Sequence, residues 1–457
     1  MMSEWVGKHL VILGAARQGL ALAKYLVEHG SKVTITDQKD KTDLQKEMKE
    51  LQGSGVNWVL GDHPLDLLDK ADGVALSGGV PLEIPFVGEA WRRGIPLTND
   101  SQIFLEVVPC PVIGITGSAG KTTTTLLVGK MAAFAFKEGS SWVGGNIGNP
   151  LINDVDHMES DHLAIMELSS FQLEIMDLSP GVACILNITP NHLDRHRTME
   201  AYTKAKAHIL EYQGQTDTAV LNRDDPGSWA LRDRVKGRLI TFGREKPGKG
   251  EQGAYLDEDW IKFWDGAKAQ ELVPLSSIQL RGEHNQLNVL AACAVAVAAG
   301  LPKDAIRQGA AALSGVEHRL EYIRSWGGAD WFNDSIATAP ERAIAAIKSF
   351  QEPLVLLAGG RDKDLPWGDF AQLVVERVRA VVCFGEAADL IEDALLKEKS
   401  ELSLRKCRGL QEAVQAAAEM IEKGDVVLLS PGGTSFDEFV DFAERGEMFR
   451  KWVHDLS

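Results

Sequence analysis

Apolar residues come in short runs along the chain, each followed by a stretch with helical spacing, and that alternation sets the fold class. Residues 9–14 (HLVILG) and 32–37 (KVTITD) read as strands around a helix from Leu20 to His29, with shorter strand patterns at 57–60 and 73–77. β-Branched runs of this length, bounded by turn formers and joined through helical segments, predict βαβ units and a parallel sheet. A second series opens at Val112, with strands at 162–168, 182–188 and 218–222 and helices over Thr123–Met131 and Thr198–Tyr212. Residues 243–282 are richer in Gly, Lys, Glu and Asp and predict loops with a small antiparallel excursion, before an alanine-rich helix at 287–300. A third series alternates again: helix 340–350, strand 353–358, helix 367–378, strand 380–384, helices 387–397 and 410–422, strand 425–430. The expected class is α/β in three domains, 1–106, 107–315 and 316–457.

Composition changes this picture little but removes several functions. A net charge of −17 leaves no general basic face for nucleic acid. The five cysteines (110, 184, 293, 383 and 407) are scattered and form no C-x-x-C, which fits a reducing, cytoplasmic setting. No apolar run approaches the roughly 18 residues of a membrane span, and the N-terminus lacks the pattern of an export signal. The chain is expected to be soluble and to work as a monomer.

The strongest chemical signal is Gly114-Ile-Thr-Gly117-Ser118-Ala119-Gly120-Lys121-Thr122-Thr123. An apolar strand feeds a glycine-rich turn that opens a helix. Small residues let backbone N–H groups close on phosphate oxygens, Lys121 adds a point charge and Thr122 a hydroxyl for Mg²⁺. The loop is short: the usual spacing asks for glycine at position 115, which is Ile115. Glu167 ends the next buried strand, where a carboxylate serves either as a solvated strand end or as a Mg²⁺ ligand beside the loop.

Other constellations read two ways. Gly14-Ala-Ala16-Arg17-Gln18-Gly19 with Asp37 has the spacing of a dinucleotide turn, but Ala16 replaces the middle glycine. That argues against a nicotinamide cofactor and leaves another nucleotide or a plain βα turn. Asn187-Ile-Thr-Pro-Asn-His192-Leu-Asp-Arg-His196 follows a buried strand, the place where open parallel sheets carry functional groups. Lys206 shares a helical face with Tyr202, Ile209 and Leu210, as a snorkelling lysine or as a buried amine made reactive by a lowered pKa. Asn285 and Asn288, one turn apart, suit either a helix cap or a base edge.

Together these segments resemble the Mur ligase family, ATP-dependent amide-forming enzymes of peptidoglycan precursor assembly, whose phosphate loop has this short form. Gly144-Gly-Asn146-Ile-Gly148, Glu167-Leu-Ser-Ser-Phe-Gln-Leu-Glu174, Asn333-Asp-Ser-Ile-Ala-Thr338 and Ser430-Pro-Gly-Gly-Thr-Ser435-Phe436 resemble the branch that adds D-glutamate to UDP-N-acetylmuramoyl-L-alanine. The resemblance implies a Rossmann-like UDP-binding domain, a P-loop ATPase-like domain and a second Rossmann-like domain. It implies that Gly117–Thr123, Asn285, Asn288, His318, Arg319 and Asp334 serve ATP, and that Arg17, Gln18, Asp37, Gly79 and Asn146 hold the UDP substrate. Thr338, Lys363, Ser435, Phe436 and Phe442 are the implied glutamate pocket. Two Mg²⁺ ions are implied on Thr122, Glu167, His192 and Lys206, with Lys206 carbamylated by CO₂. Lys121, His192 and Lys206 are the implied catalytic residues.

Departures stand out in three segments. The family pattern has lysine where this chain has Ile336, and asparagine where it has Ala339. Ser118-Ala119 replaces Thr-Asn ahead of Gly120, and Gly78 replaces proline in Ser77-Gly78-Gly79. The alternatives are a folylpolyglutamate synthase-like ligase of the same superfamily, which lacks a domain like 1–106, and a non-catalytic nucleotide-binding regulator.

Overall fold

A computed structural model describes residues 5–313, 315–398 and 402–457. The chain divides into two compact units, one of residues 1–278 with Leu287–Ala312, the other Gln279–Gln286 with residues 313–457.

The first unit opens with five parallel strands: β1 (His9–Leu13), β2 (Lys32–Asp37), β3 (Asn57–Leu60), β4 (Gly73–Leu76) and β5 (Leu97–Thr98), in the order β3-β2-β1-β4-β5. Leu10 and Ile12 of β1 enter one apolar core while Val11 and Leu13 enter another on the opposite face. Burial on both faces is why the strand reads as a continuous apolar run rather than an alternation. The helix after β1 spans Arg17–Glu28, three residues ahead of the apolar signal, because its first turn carries Arg17 and Gln18.

A nine-stranded sheet follows: β6 (Val112–Thr116), β7 (Ser141–Gly145), β8 (Leu163–Glu167), β9 (Val182–Ile185), β10 (Thr218–Asn222), β11 (Arg238–Phe242), β12 (Gly253–Asp257), β13 (Trp260–Trp264) and β14 (Ala269–Pro274). Its order is β14-β13-β12-β11-β10-β9-β6-β8-β7, parallel except for the β12-β13-β14 meander. That meander is the antiparallel excursion expected within 243–282. Strand β6 is buried throughout and lies between β8 and β9, so the loop leaving it sits at a central carboxyl edge of the sheet.

The second unit contains β15 (Glu321–Trp326), β16 (Ala329–Asn333), β17 (Leu354–Gly359), β18 (Val378–Phe384), β19 (Ser403–Cys407) and β20 (Val426–Gly432), ordered β15-β16-β20-β17-β18-β19. All pairs are parallel except the β15–β16 hairpin, which turns at Gly327-Gly328. Leu354 and Leu356 of β17 face one core, Val355 and Leu357 the other.

Candidate active site

The loop after β6 is shaped by Gly120, which caps the helix Lys121–Ala135 in a left-handed conformation (φ 82°). A Cβ there would stand 2.2 Å from Asn288 Oδ1, so this position requires glycine for conformation and for space. The loop is tied down on its far side by the strand-end segment after β9. Ser118 N donates to Asn187 O (3.0 Å) and Ala119 N to Asn187 Oδ1 (2.8 Å). Ser118 Oγ donates to Thr189 O and accepts from Thr189 N and from Tyr202 Oη. The two residues that replace Thr-Asn in this chain therefore meet partners of their own.

Thr122 and Glu167 come together at the start of the helix. Thr122 Oγ1 donates to Glu167 Oε2 (2.8 Å), and Asn146 Nδ2 donates to Glu167 Oε1 (2.9 Å), with the carboxylate buried. Asn146 is held from the other direction, since its carbonyl accepts from Arg17 Nη2 (3.1 Å). A hydroxyl and a carboxylate at a helix N-terminus form the hard-oxygen set that suits Mg²⁺ beside phosphates.

Two lysines converge on one carbonyl. Lys121 Nζ donates to Gly117 O (3.0 Å), and Lys206 Nζ donates to the same oxygen (2.9 Å) and to Thr116 Oγ1 (3.3 Å). Lys206 is 1% exposed, on the helix Met199–Glu211, with its ammonium 4.8 Å from the Tyr202 ring centre. Burial drives its pKa well below the ordinary lysine value, the charge of Lys121 pushes the same way, and Glu167 opposes both. The helical-face argument thus holds to the side chain: Tyr202, Lys206, Ile209 and Leu210 are all buried.

His192 begins a short helix in the left-handed region (φ 53°) and is exposed. Partial burial of its ring and then the charge of Lys121 lower its pKa, so it is neutral at neutral pH. Phe171 lies edge-on to His192 at 5.2 Å and stacks on His196 at 5.1 Å, while Ser170 Oγ meets His196 Nε2 at 2.9 Å. Arg195 lies over the Phe171 ring at 4.0 Å and donates to the carbonyls of Gly79 and Val80. It pins the turn in which Gly78 replaces proline.

In the first strand–helix turn, Asp37 accepts from Ala15 N (2.8 Å) and Lys39 N (2.9 Å), so its carboxylate shapes the turn. Gln18 lies against Gly78, and its Nε2 is buried with no hydrogen-bond partner in the structure.

The second unit gathers the remaining residues. Asp334 is buried, accepts from Ser430 Oγ (2.8 Å) and Leu320 N (3.3 Å), and is pushed up to about 7 by that burial. His318 (φ 60°) meets Asn333 Nδ2 at 3.1 Å, and its carbonyl accepts from Ile336 N. Arg319 follows in the same turn. Lys363 Nζ lies 3.4 Å from Thr338 Oγ1, Ser435 is buried, Phe442 half-buried and Phe436 61% exposed. Asn285 Nδ2 donates to Arg281 O (2.7 Å), a bond to the preceding turn rather than a cap.

Arg445 carries no motif signal, yet it organises this region. It is fully buried and donates to Ser335 Oγ, Ser335 O, Gly433 O and Thr434 O, joining the segments that bear Thr338 and Ser435. The spacing of Phe442, Arg445, Phe449 and Val453 places it on the inner face of its helix, the one signal that points to it. Asn187 and Thr189 lie in the segment singled out from the sequence, and Tyr202 on the face shared with Lys206, but their bonds to the phosphate loop show only in the structure.

Family models match along the chain: a MurD-like N-terminal domain over 8–99, a Mur ligase middle domain over 115–296 and a Mur ligase glutamate ligase domain over 318–433. A UDP-N-acetylmuramoylalanine–D-glutamate ligase of Symbiobacterium thermophilum is 40% identical over 446 residues, covering 98% of both chains. The chain belongs to the Mur ligase family. A ligase of the same name from Acetivibrio thermocellus is 37% identical over 456 residues, covering 98% of this chain and 97% of its own. Among solved structures, the UDP-N-acetylmuramate–alanine ligase of Thermotoga maritima shares the fold with a TM-score of 0.60 at 19% identity, covering 98% of this chain and 99% of its own. Like other Mur ligases, this protein is a three-domain, ATP-dependent, Mg²⁺-using amide-forming enzyme. Among the described residues no helix is long and apolar enough to cross a membrane.

Proposed function

We propose that this Mur ligase joins D-glutamate to UDP-N-acetylmuramoyl-L-alanine through an acyl phosphate made at the expense of ATP. The observation that carries it is the buried Lys206 amine sharing the Gly117 carbonyl with Lys121, next to the Thr122–Glu167 pair. The whole-length likeness to D-glutamate ligases names the substrates, and the MurD-like match over 8–99 favours this reaction over a folylpolyglutamate synthase-like one. Residues 1–106 take the UDP part, 107–315 ATP, and 316–457 glutamate.

Thr122 and Glu167 fit one Mg²⁺, and their donor set supports it. The ion, when bound, offsets the charge of the phosphates. Lys206 fits a second role. Its burial favours the neutral amine, which adds to CO₂ with loss of one proton and leaves an anionic carbamate, an oxygen ligand for a second ion together with His192.

The alanyl carboxylate attacks the γ-phosphorus of ATP and ADP leaves. Lys121 and the loop N–H groups reduce the repulsion between the two anions. The neutral amine of glutamate then attacks the acyl carbon, and phosphate departs with the former carboxylate oxygen. The proton that the amine loses leaves with the phosphate, and His192, kept neutral by its surroundings and so able to hold the second ion, lines the reaction centre. Arg17, Gln18, Asp37, Gly79 and Asn146 orient the sugar nucleotide; Thr338, Lys363, Ser435, Phe436 and Phe442 orient glutamate. Asn285, Asn288, His318, Arg319 and Asp334 hold the nucleotide triphosphate. The protein acts in the cytoplasm as a monomer.

The test is phosphate release with ATP, UDP-N-acetylmuramoyl-L-alanine and each glutamate isomer. Release with D-glutamate is expected. Silence with both isomers would overturn the function, and release with L-glutamate alone would overturn the stereochemistry.

A further inference from the structure

Glutamate brings two carboxylates, and Lys363 supplies one cation. The segment Asp334–Thr338 supplies none, because its central position is Ile336. Arg342 reaches that segment from the first turn of the helix Pro340–Ile347, its Nη1 donating to Ile336 O at 3.4 Å. The same carbonyl accepts from Thr338 N (2.9 Å), and Thr338 Oγ1 is the atom that Lys363 approaches. Two exposed cations therefore converge on three consecutive residues.

Neither cation forms an ion pair among the described residues. Of the arginines in the same unit, Arg361, Arg379, Arg405 and Arg450 meet carboxylates, while Arg324, Arg377 and Arg445, less exposed than Arg342, bond carbonyl oxygens. The charge of Arg342 reaches Asp334, but that carboxyl is buried and turned to Ser430 and the Leu320 amide. Its position is also electrostatically poor for the fold, since a cation in the first turn of a helix opposes the helix dipole. Its bond to the Ile336 carbonyl leaves its charge without a carboxylate partner among the described residues, and local rules are broken most often at functional or strained sites.

We propose that Arg342 is the second cation of the amino-acid pocket: it receives one carboxylate of the incoming glutamate while Lys363 receives the other, and so selects a dicarboxylic amino acid. This rests on the glutamate ligation proposed above, which wild-type turnover tests independently.

The experiment is steady-state kinetics of full-length Arg342→Gln and Arg342→Lys with all three substrates varied, alongside thermal melting. Loss of a charge-assisted bond predicts a rise of about tenfold or more in KM for glutamate in Arg342→Gln. The constants for ATP and the UDP substrate should stay within about twofold, and Arg342→Lys should recover part of the loss. Removing a first-turn cation should leave the melting temperature equal or higher, which separates a binding role from a folding one. An unchanged glutamate constant, or an equal rise for ATP, would overturn the proposal.

Discussion

Replacing Gly120 with alanine tests the geometry of the phosphate loop. The residue sits at φ 82°, and the added Cβ would meet Asn288 Oδ1 at 2.2 Å. Left-handed backbone costs an L-residue roughly 1–2 kcal/mol. Asn288 is 8% exposed, so its amide has to leave a packed position, at a further cost of about 1 kcal/mol. The sum is about 2–3 kcal/mol, and a unit of this size loses about 2–4 °C in melting temperature per kcal/mol. Melting of Gly120→Ala, Asn288→Ala and the double variant separates the two causes. Asn288→Ala should relieve the contact but not the backbone strain, giving a coupling of about 1 kcal/mol between the sites. Additive effects, within about 0.5 kcal/mol, would refute the claim that Asn288 and Gly120 share one space.

Other outcomes follow from the same structure. Lys206→Ala should abolish ligation while ATP binding, followed by nucleotide fluorescence, persists; full turnover would remove the metal-bridging role of the carbamate. Arg17→Ala frees the Asn146 carbonyl and should raise KM for the UDP substrate with little change for glutamate, and equal changes would count against residues 1–106 as the UDP site. Asp334 titrates near 7 folded and near 3.8 unfolded, so the folded state binds more protons between these values and stability falls as pH rises across that window. Three units correspond to about 4 kcal/mol at most. Denaturant melts from pH 4 to 8 should show this decline in the wild type and a flatter profile in Asp334→Asn.

Much of this was legible in the sequence, for physical reasons. Strands β1, β2, β6 and β10 are buried runs with glycine or turn residues at their ends, so their apolar signal survives without tertiary context. Edge strands β7 and β19, SWVGG and SLRKC, have one side open and carry glycines or charges, which hides them. At the site, Lys121, Thr122 and Glu167 follow from chemistry at known spacing, and the buried position of Lys206 follows from its helical face. Arg445 and Tyr202 were not legible as functional, because their roles lie in contacts between segments far apart in the chain. Asn146 and Asp37 show the same principle from the other side: both bond groups of the chain itself, Glu167 and the Ala15 amide, which no spacing rule announces.

The most direct test of acyl-phosphate ligation follows an oxygen atom. UDP-N-acetylmuramoyl-L-alanine labelled with ¹⁸O in the alanyl carboxylate is turned over with ATP and D-glutamate, and the released phosphate is examined by mass spectrometry. Attack of that carboxylate on the γ-phosphorus carries one labelled oxygen into each phosphate released. Phosphate without label, formed while the amide product accumulates, would contradict it.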